Sequence, residues 1–589
     1  MLQPDPYNGS SRKLVIAIDI GTTYSGAAYC VLDPGEIPQV LSVTRFPGQE
    51  GENKSRDVKI PSVLYYDQQG QLCAVGAEAT LQSTEDEAYA QEWHCVKWFK
   101  LHLRPPSILP GAVLPPISVN KSAVEILADF LTYVLQCTKD FISETNPIGR
   151  QILESKTPID FVLSHPNGWS GPQQSSMRRA AILAELVSDD DEGAARLQFV
   201  TEGEASLQFC IMTGLGDDVM EKDHYVTIVD CGGGTIDLST YRVLNSQPIA
   251  VVESVVPKCL IQGSTMIDRR AEELLRSKLR LSRFSTSGDI EVMLTNFENT
   301  TKPTFRNPSD TSYVRFGGQR DTDEEVNIRR GVLSLSGFEM TSLFTPSIDA
   351  IKSAIDTHLV GVDSRFATIL LVGGFATSPF LRSELHSHMN NKGLQMFTPE
   401  GQTSKAVAEG ALWFYLNHSV RARVARHTYG TGCVRQYNPL LPEHFRRQHL
   451  RYMRVDGRIC IPSAFAILTR KGTSVTEERE FSYPLVTYQR KISRHGTSIS
   501  ADVTAYRGDQ TDPQWMDDEP DEFYTLCRIT ATPAFDSWKR HSGAKGPYWS
   551  TEFEVILLLG LTEMKAQIAW VENGVKQRTP ANIIYDEEQ

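Results

Sequence analysis

Two apolar stretches of this sequence end in an aspartate that is followed almost at once by small residues. They are LVIAIDIGTT and VTIVDCGGGT, and their small residues are Gly21, Thr22 and Thr23 in the first and Gly232, Gly233, Gly234 and Thr235 in the second. A strand that ends in this way carries its carboxylate at the C-terminal edge of a sheet, where backbone N–H groups are free and ligands of α/β proteins usually bind. Glycine also lets the backbone approach phosphate oxygens without a clash at Cβ. The pattern therefore predicts two phosphate-binding turns.

The aspartates of these stretches, Asp19 and Asp230, are the candidate metal ligands. A carboxylate repels a phosphate, so a divalent cation with its waters is the natural link between them, and Mg²⁺ prefers a few carboxylates together with phosphate. We expect both aspartates to flank one Mg²⁺–phosphate cluster. Because the two turns come from distant parts of the chain, they imply two lobes with a cleft between them.

A third turn, in TILLVGGFATSPFLRSEL, places Gly373 and Gly374 at the end of another apolar strand. A strand end without side chains suits the flat face of a base or a ribose, and Ser378 and Pro379 then have the types expected at the start of a helix. Each turn alone is a weak signal, because Gly-Gly after a strand is more often a tight turn than a ligand site. The chain has no G-x-x-x-x-G-K-[ST] motif, and DCGGGT lacks the spacing of a dinucleotide fingerprint. The prediction of a ligand site therefore depends on the occurrence of all three turns in this order along the chain.

This set of motifs resembles the superfamily of actin, the sugar kinases and the 70-kDa heat-shock ATPases. DIGTT is similar to its first phosphate motif, DCGGGTID to the second and LVGGFATSP to the adenosine motif. The segments PIDFVLSHPNGWSGPQQSSMRRAAILAEL and VTEGEASLQF resemble the heat-shock family in particular. The resemblance covers residues 13–420 and implies an α/β fold, namely a two-lobed actin-like (ribonuclease H-like) ATPase domain that binds ATP or ADP with Mg²⁺.

The resemblance also implies roles for individual residues. Thr22 and Thr23 would contact phosphate, and Thr235 would lie near the terminal phosphate. Asp237 is similar to the second acidic residue of that turn, and Glu202 to the residue that orders or deprotonates the attacking water. Lys97, in HCVKWFKLHL, is the candidate for the lysine of the first lobe.

Several positions depart from the family pattern. Gly203 stands where typical members have a proline after the connecting glutamate. The family's GGEDFD segment appears as QGSTMID, which keeps Gly263. In ENTTKPTF, Glu298 and Lys302 are candidates for the helix pair on the adenine side, although Pro303 disturbs that helix.

The character of the sequence changes after residue 420. RARVARH is basic, prolines follow, and several strand-like segments fill the remainder. We predict lobe I at 13–215, lobe II at 216–400, a return helix at 401–420 and a β-rich domain at 421–589. The linker and helical lid of typical heat-shock members are not found, and the ending looks more like the divergent twelfth branch of the family, known from animals and fungi.

Composition limits the partners and the compartment. The formal net charge is −13 and the pI is near 5.6, which disfavours a nucleic-acid surface. The start of the sequence has no basic segment followed by an apolar one, and the longest apolar run, VILLLGL, is too short to span a bilayer. Ten scattered cysteines without zinc spacing suggest reduced thiols. We therefore expect no membrane span and a cytoplasmic, or also nuclear, location.

Three functions remain open. The first is an ATP-binding, slowly hydrolysing switch or chaperone, a weak ATPase whose C-terminal domain binds a protein client or partner that the sequence does not identify. The second is a nucleotide-binding scaffold that has lost hydrolysis, which the departures favour. The third is a small-molecule kinase of the same fold, which no cluster of acceptor-binding residues supports.

Overall fold

A computed structural model describes residues 4–49, 58–104, 114, 116–155, 157–169, 171–214, 217–246, 248–399, 405–417, 419–476, 479–494, 496–543, 546–559 and 564–579. These residues form two compact units. The first lies within 1–169, 176–252 and 257–420, and the second within 170–175, 253–256 and 421–589.

The first half of the first unit alternates strands and helices. Its elements are β1 (Lys13–Asp19), β2 (Tyr24–Leu32), β3 (Gln39–Ser42), β4 (Ile60–Pro61), β5 (Val63–Tyr66), β6 (Leu72–Val75), α1 (Gln82–Ala90), β7 (His94–Lys97), α2 (Ala123–Thr145), α3 (Gly149–Glu154), β8 (Ile159–His165), α4 (Gly171–Leu183), α5 (Asp191–Arg196), β9 (Leu197–Thr201) and α6 (Glu202–Thr213). A capping box formed by Ser122 and Glu125 begins α2.

The chain continues with a second set of strands and helices. They are β10 (Tyr225–Cys231), β11 (Ile236–Ser246), β12 (Ile249–Glu253), β13 (Lys258–Leu260), α7 (Ser264–Lys278), α8 (Ser287–Asn296), α9 (Lys302–Thr304), β14 (Ser312–Arg315), β15 (Ile328–Arg329), β16 (Val332–Leu335), α10 (Gly337–His358), β17 (Ala367–Val372), α11 (Pro379–Asn391), β18 (Gln395–Phe397) and α12 (Ala406–Asn417). Ser378 is the N-cap of α11, as its sequence indicated.

Two sheets of the first unit repeat one arrangement. The first sheet has the order β3-β2-β1-β8-β9, and the second contains the order β18-β17-β10-β11-β12. In each, an antiparallel hairpin lies beside a parallel strand: β1 and β2 beside β8, and β10 and β11 beside β17. The hairpin turns are the segments with the conspicuous small residues. Equivalent turns therefore lie at equivalent edges of the two sheets.

Helices α6 and α12 join the two sheets. Apolar residues of α12, among them Ala411 and Leu412, pack with Val15 and Ala17 of the first sheet. Apolar residues of α6 pack with β10 and β11 of the second sheet. The two helices also pack closely on each other, since a Cβ at Gly410 would overlap the carbonyl oxygen of Ala205.

The second unit is built almost entirely of strands. Its elements are β19 (Val420–Val424), β20 (Thr428–Gln436), α13 (Pro442–Arg446), β21 (Tyr452–Met453), β22 (Ile459–Thr469), β23 (Ser474–Val475), β24 (Glu480–Gln489), β25 (Ile499–Tyr506), β26 (Phe523–Ala531), β27 (Lys539–Gly543), β28 (Gly546–Leu558), β29 (Lys565–Glu572) and β30 (Val575–Arg578). One sheet has the order β21-β22-β20-β25-β26 and the other β24-β28-β29-β30, with β27 paired to β28. Both sheets contribute to one core, for example through Val503 and Val555, so the unit is a β-sandwich.

These observations confirm the predicted mixed α/β fold class and the strand-rich ending. None of the ten cysteines forms a disulfide, and six of them are buried. Within the described part of the chain, no helix is long and apolar enough to cross a membrane.

Candidate functional site

The three glycine turns predicted from the sequence meet at one cavity of about 280 Å³ in the first unit. Strand pairing explains why, because Asp230 is in register with Val372 of the neighbouring strand β17, so the third turn begins beside it. The predicted residues that line the cavity are Asp19, Gly21, Thr22, Thr23, Glu202, Asp230, Gly232, Gly233, Gly234, Thr235, Gly373 and Gly374. The cavity also includes residues that the sequence did not single out, among them Lys59 and Lys100.

The first and second turns lie directly against each other. A Cβ at Gly233 would overlap the side chain of Thr23, and a Cβ at Gly234 would overlap that of Thr22. Gly263, before α7, packs in the same way against the backbone of Gly233. Glycine is needed at these positions because of close approach, and the result is a wall of backbone and hydroxyl groups on one side of the cavity.

Gly373 is required for two separate reasons. Its φ is +91°, which side chains rarely tolerate, and a Cβ there would overlap Asp230 Oδ1 and the carbonyl oxygen of Cys231. Gly374, by contrast, faces open space. The third turn therefore lies directly against the carboxylate of Asp230 and leaves room in front of Gly374.

Asp19 is buried in a network of charged and hydroxyl groups. Lys59 Nζ donates to its Oδ2 at 2.7 Å, and Ser164 Oγ donates to its Oδ1 at 2.7 Å. Burial by itself would raise the pKa of Asp19, but the positive charges of Lys59 and Lys100 outweigh it, so the pKa lies below the ordinary value. Asp19 is therefore a stable carboxylate that already carries one ammonium partner.

Asp230 lies in a very different electrostatic environment. Its Oδ2 accepts a hydrogen bond from Ser206 Oγ at 3.0 Å. Burial, followed by the negative charges of Glu202 and Asp237, raises the pKa of Asp230 to about 8. Its carboxyl group is therefore protonated at neutral pH unless a cation enters the cavity.

Glu202 begins α6 and forms an ion pair with Lys100. The Nζ of Lys100 lies 2.6 Å from Glu202 Oε1, and it also lies 5.6 Å from the centre of the Trp169 ring. The lysine predicted for this lobe was Lys97, but Lys97 is exposed at the end of β7 and does not line the cavity. The chain turns between the two residues, because Trp98 has a φ of +58° and a short 3₁₀ helix follows.

Asp237 is buried in β11 behind the second turn and does not line the cavity. Its Oδ1 accepts the backbone N–H of Asn167 at 2.7 Å, and its Oδ2 has no hydrogen-bond partner among the described residues. Burial and the charge of Glu202 raise the pKa of Asp237 to about 7. The same Asn167 uses its side chain to contact Ser239 and the N–H of Gly203. Gly203 has no room for a side chain there, which accounts for its departure from the family's proline.

The residues predicted for the adenine side lie elsewhere. Glu298 is exposed, and Lys302 forms an ion pair with Asp268, with Nζ 2.6 Å from Oδ2. Neither lines the cavity. The helix accommodates Pro303 by a π-helical turn over residues 297–301, which leads into α9. Lys302 is thus placed to stabilise Asp268, and the structure does not bring this pair to the glycine turns.

Sequence reasoning missed the two lysines of the cavity. Lys59 and Lys100 are separated by 40 and 102 residues from the carboxylates that they pair with. Lys100 does have a local signal, since it stands between Phe99 and Leu101, which are both buried. Apolar residues on both sides of a lysine indicate that the lysine itself is buried, as Lys100 is. Lys59 has no such signal.

The tight approach of the two turns can be tested by substitution. We expect Gly234→Ala to destabilise the ligand-free protein by about 1–3 kcal/mol, because the new methyl group overlaps Thr22 and the turns must separate. Gly374→Ala is the matched control, since its methyl group meets no atom within 4 Å. Urea unfolding of both variants and the wild type measures the difference. Equal stability of the two variants would show that the turns are not packed together.

Comparison with known proteins adds an independent observation. No family model matches the chain. Heat shock 70 kDa protein 12B of Homo sapiens is 23% identical over 567 residues, which cover 82% of this chain and 80% of that protein. Heat shock 70 kDa protein 12A is 23% identical over 512 residues in Mus musculus and over 505 residues in Homo sapiens, covering 74% and 72% of this chain and 74% and 73% of those proteins. The similarities confirm the resemblance to the twelfth branch of the 70-kDa heat-shock family, and they point to a nucleotide-binding, actin-like ATPase fold.

Proposed function

Starting from a confirmed resemblance to the twelfth branch of the 70-kDa heat-shock family, we propose that this chain is an ATP-binding, slowly hydrolysing nucleotide switch with a chaperone-like role. The observation that carries the proposal is the meeting of three glycine turns, three carboxylates and two lysines at one cavity. Backbone N–H groups, hydroxyl groups and ammonium groups are the donors that bind phosphate, and the open space at Gly374 suits a nucleoside. ATP and ADP are the proposed ligands.

The donor set also fits Mg²⁺. Asp19 and Asp230 line the cavity, and their carboxylate oxygens are ligands that Mg²⁺ accepts. No group of three or more histidine, cysteine, aspartate or glutamate side chains that could hold a metal ion is found among the described residues. The two carboxylates that line the cavity suit Mg²⁺ shared with phosphate, since the ion usually takes one or two carboxylates and keeps several waters. When bound, Mg²⁺ would neutralise charge on the phosphates; Asp19 and Asp230 would hold it.

The residues of the chain itself supply the other parts of a hydrolytic site. Glu202 lines the cavity and is proposed to orient the attacking water and take its proton. Lys100, held by Glu202, presents its ammonium group to the terminal phosphate, and Thr22 and Thr235 present hydroxyl groups. Lys100 replaces Lys97 in this proposal.

The turns offer a means of switching. Contacts from both hairpin turns to the same phosphate group favour the closed arrangement of the two sheets, because only a ligand with different affinities for two states shifts their populations. We propose 13–215, 216–400 and 401–420 as the parts of the ATPase domain. The β-rich domain at 421–589 is proposed to bind a protein client or partner. Ten cysteines that form no disulfide favour the cytoplasm or nucleus as the compartment.

A second candidate is a nucleotide-binding scaffold without hydrolysis. The observation that favours it is the ion pair between Lys59 and Asp19, which occupies one oxygen of a proposed metal ligand. A protein of this kind would bind nucleotide and transmit closure without releasing phosphate.

The two candidates are separated by Glu202→Gln. Titration of wild type and variant with Mg-ATP and Mg-ADP gives the affinities, and phosphate release is followed in the same samples. We expect similar affinities within about threefold and release that is slower in the variant by about 100-fold, as is typical for loss of a general base. Glu325→Gln, at an exposed glutamate outside the cavity, is the control. Binding without release in the wild type would favour the scaffold, and no nucleotide binding would reject both candidates.

A further inference from the structure

Two ammonium groups lie inside the cavity, and each is held by a carboxylate. Lys59 Nζ is 2.7 Å from Asp19 Oδ2, and Lys100 Nζ is 2.6 Å from Glu202 Oε1. An ammonium group has three donors. Within the described residues each lysine makes one hydrogen bond to a side chain of the cavity, which leaves donors of both groups for a ligand. The side chain of Lys59 is 21% exposed and that of Lys100 is 5% exposed, so both side chains lie mostly within the wall of the cavity and little of either is in solvent.

The position of Lys59 matters because its ammonium group occupies one carboxylate oxygen of Asp19, which is a proposed metal ligand. Asp19 has two carboxylate oxygens, and Ser164 donates to one while Lys59 donates to the other. A cation that binds Asp19 directly or through water must therefore compete with the ammonium group of Lys59. The same ammonium group already brings one of the two positive charges that a divalent cation would bring to the phosphates.

The surroundings keep Lys59 in this place. Lys59 directly precedes β4, and β4 pairs with β2 next to the first turn, with Ser25 in register with Ile60. The carbonyl oxygen of Lys59 accepts a hydrogen bond from Gln49 Nε2 at 2.9 Å. Lys59 is thus fixed by its backbone beside the turn that carries Thr22 and Thr23, within reach of any phosphate bound there.

We propose that Lys59 is a built-in counter-ion for the nucleotide phosphates, so that the cavity binds ADP and ATP without requiring a divalent cation. The inference rests on the proposed nucleotide-binding function and deepens it by naming what controls the site's dependence on metal. Lysine is well suited to this role because its compact charge can move from Asp19 to a phosphate oxygen by rotation of a flexible side chain. Asp19 then becomes free for the cation when one is present.

The test compares ADP affinity in Mg²⁺ and in EDTA by isothermal titration. For the wild type we expect the two dissociation constants to agree within about threefold, and for Lys59→Gln we expect binding in EDTA to be weaker by about tenfold or more, the usual loss for a hydrogen bond to a charged group. In Mg²⁺ the variant should bind as the wild type does, because Asp19 is free to hold the cation. Lys222→Gln, at an exposed lysine outside the cavity, should behave as the wild type in both buffers.

Any other result of the titrations rejects either the role of Lys59 or the proposed nucleotide-binding function. Wild-type binding that is lost in EDTA while it persists in Mg²⁺ rejects the role of Lys59 and leaves the proposed function intact. An equal response of Lys59→Gln and the wild type to EDTA also rejects it. Absence of binding in both buffers rejects the proposed function itself. If Lys59→Gln fails to fold, Lys59→Met, which keeps most of the side-chain length without the charge, takes its place with the same expected and contradicting outcomes, and Lys59→Arg, which keeps the charge, should retain binding in EDTA.

Discussion

In the absence of nucleotide and metal, Asp230→Asn is expected to be more stable than the wild type at pH 8 and equally stable at pH 4. Burial and the charges of Glu202 and Asp237 raise the pKa of Asp230 to about 8 in the folded protein, from 3.8 in an unperturbed aspartate. Between these two pH values the folded protein keeps a proton that the unfolded chain releases. The stability of the wild type therefore falls as the pH rises through this window.

The size of this effect follows from the shift. Each unit of pKa difference is worth about 1.4 kcal/mol, so the variant is expected to gain on the order of a few kcal/mol at pH 8, since asparagine has no proton to lose. Urea unfolding in EDTA at pH 4, 6 and 8 measures the free energy of unfolding of both proteins. Asp349→Asn, at an exposed position of α10, is the matched control. A gain that is the same at all three pH values would show that Asp230 is not protonated in the folded state.

The second large effect is expected from Gly410→Ala. Gly410 lies in α12, and an added Cβ would overlap the backbone carbonyl oxygen of Ala205 in α6. Because backbone cannot move aside as a side chain can, the two helices must separate, and the overlap is expected to cost about 3 kcal/mol or more. Both helices contact the sheets that carry the cavity, so loss of stability should be accompanied by loss of nucleotide binding.

The control for this substitution is another helical glycine. Gly288 lies in the first turn of α8, and a Cβ there meets no atom within 4 Å. Gly288→Ala is therefore expected to be neutral or to stabilise the protein by up to about 1 kcal/mol, through the better helix propensity of alanine. Thermal unfolding of both variants checks the pair. Wild-type stability of Gly410→Ala would contradict the close packing of α6 and α12.

A stability gain in Asp230→Asn would show that the charges of the ligand-binding cavity destabilise the ligand-free protein. Among the described residues that line the cavity, Lys59 and Lys100 offset the charges of Asp19 and Glu202, so ionisation of Asp230 would add a negative charge that no ammonium group pairs with. A site of this kind lowers the stability of the ligand-free protein, as is common where residues are placed for function rather than for stability. Nucleotide and cation are then expected to stabilise the protein by an amount that grows with the logarithm of their concentration divided by the dissociation constant.

The sequence by itself determined the local features of this protein. An apolar run of about seven residues that ends in aspartate and glycine has few conformations other than a strand and a tight turn, and a Ser-x-x-Glu pattern ahead of spaced apolar residues specifies a helix start, as at Ser122. The three turns, their aspartates and the strand-rich ending could be predicted for this reason. The order of the motifs was enough to suggest the fold.

Only the tertiary structure decided which side chains meet. Lys59 reaches Asp19 from 40 residues away, and Lys100 reaches Glu202 from 102 residues away, through packing that no local pattern encodes. Lys100 lines the cavity and Lys97 does not, because the chain turns at Trp98, where φ is +58°. Lys302, in turn, pairs with Asp268 because α7 and the π-helical turn are adjacent in space. Periodicity and turn chemistry act over a few residues, whereas electrostatic partners are set by the way in which the sheets and helices pack.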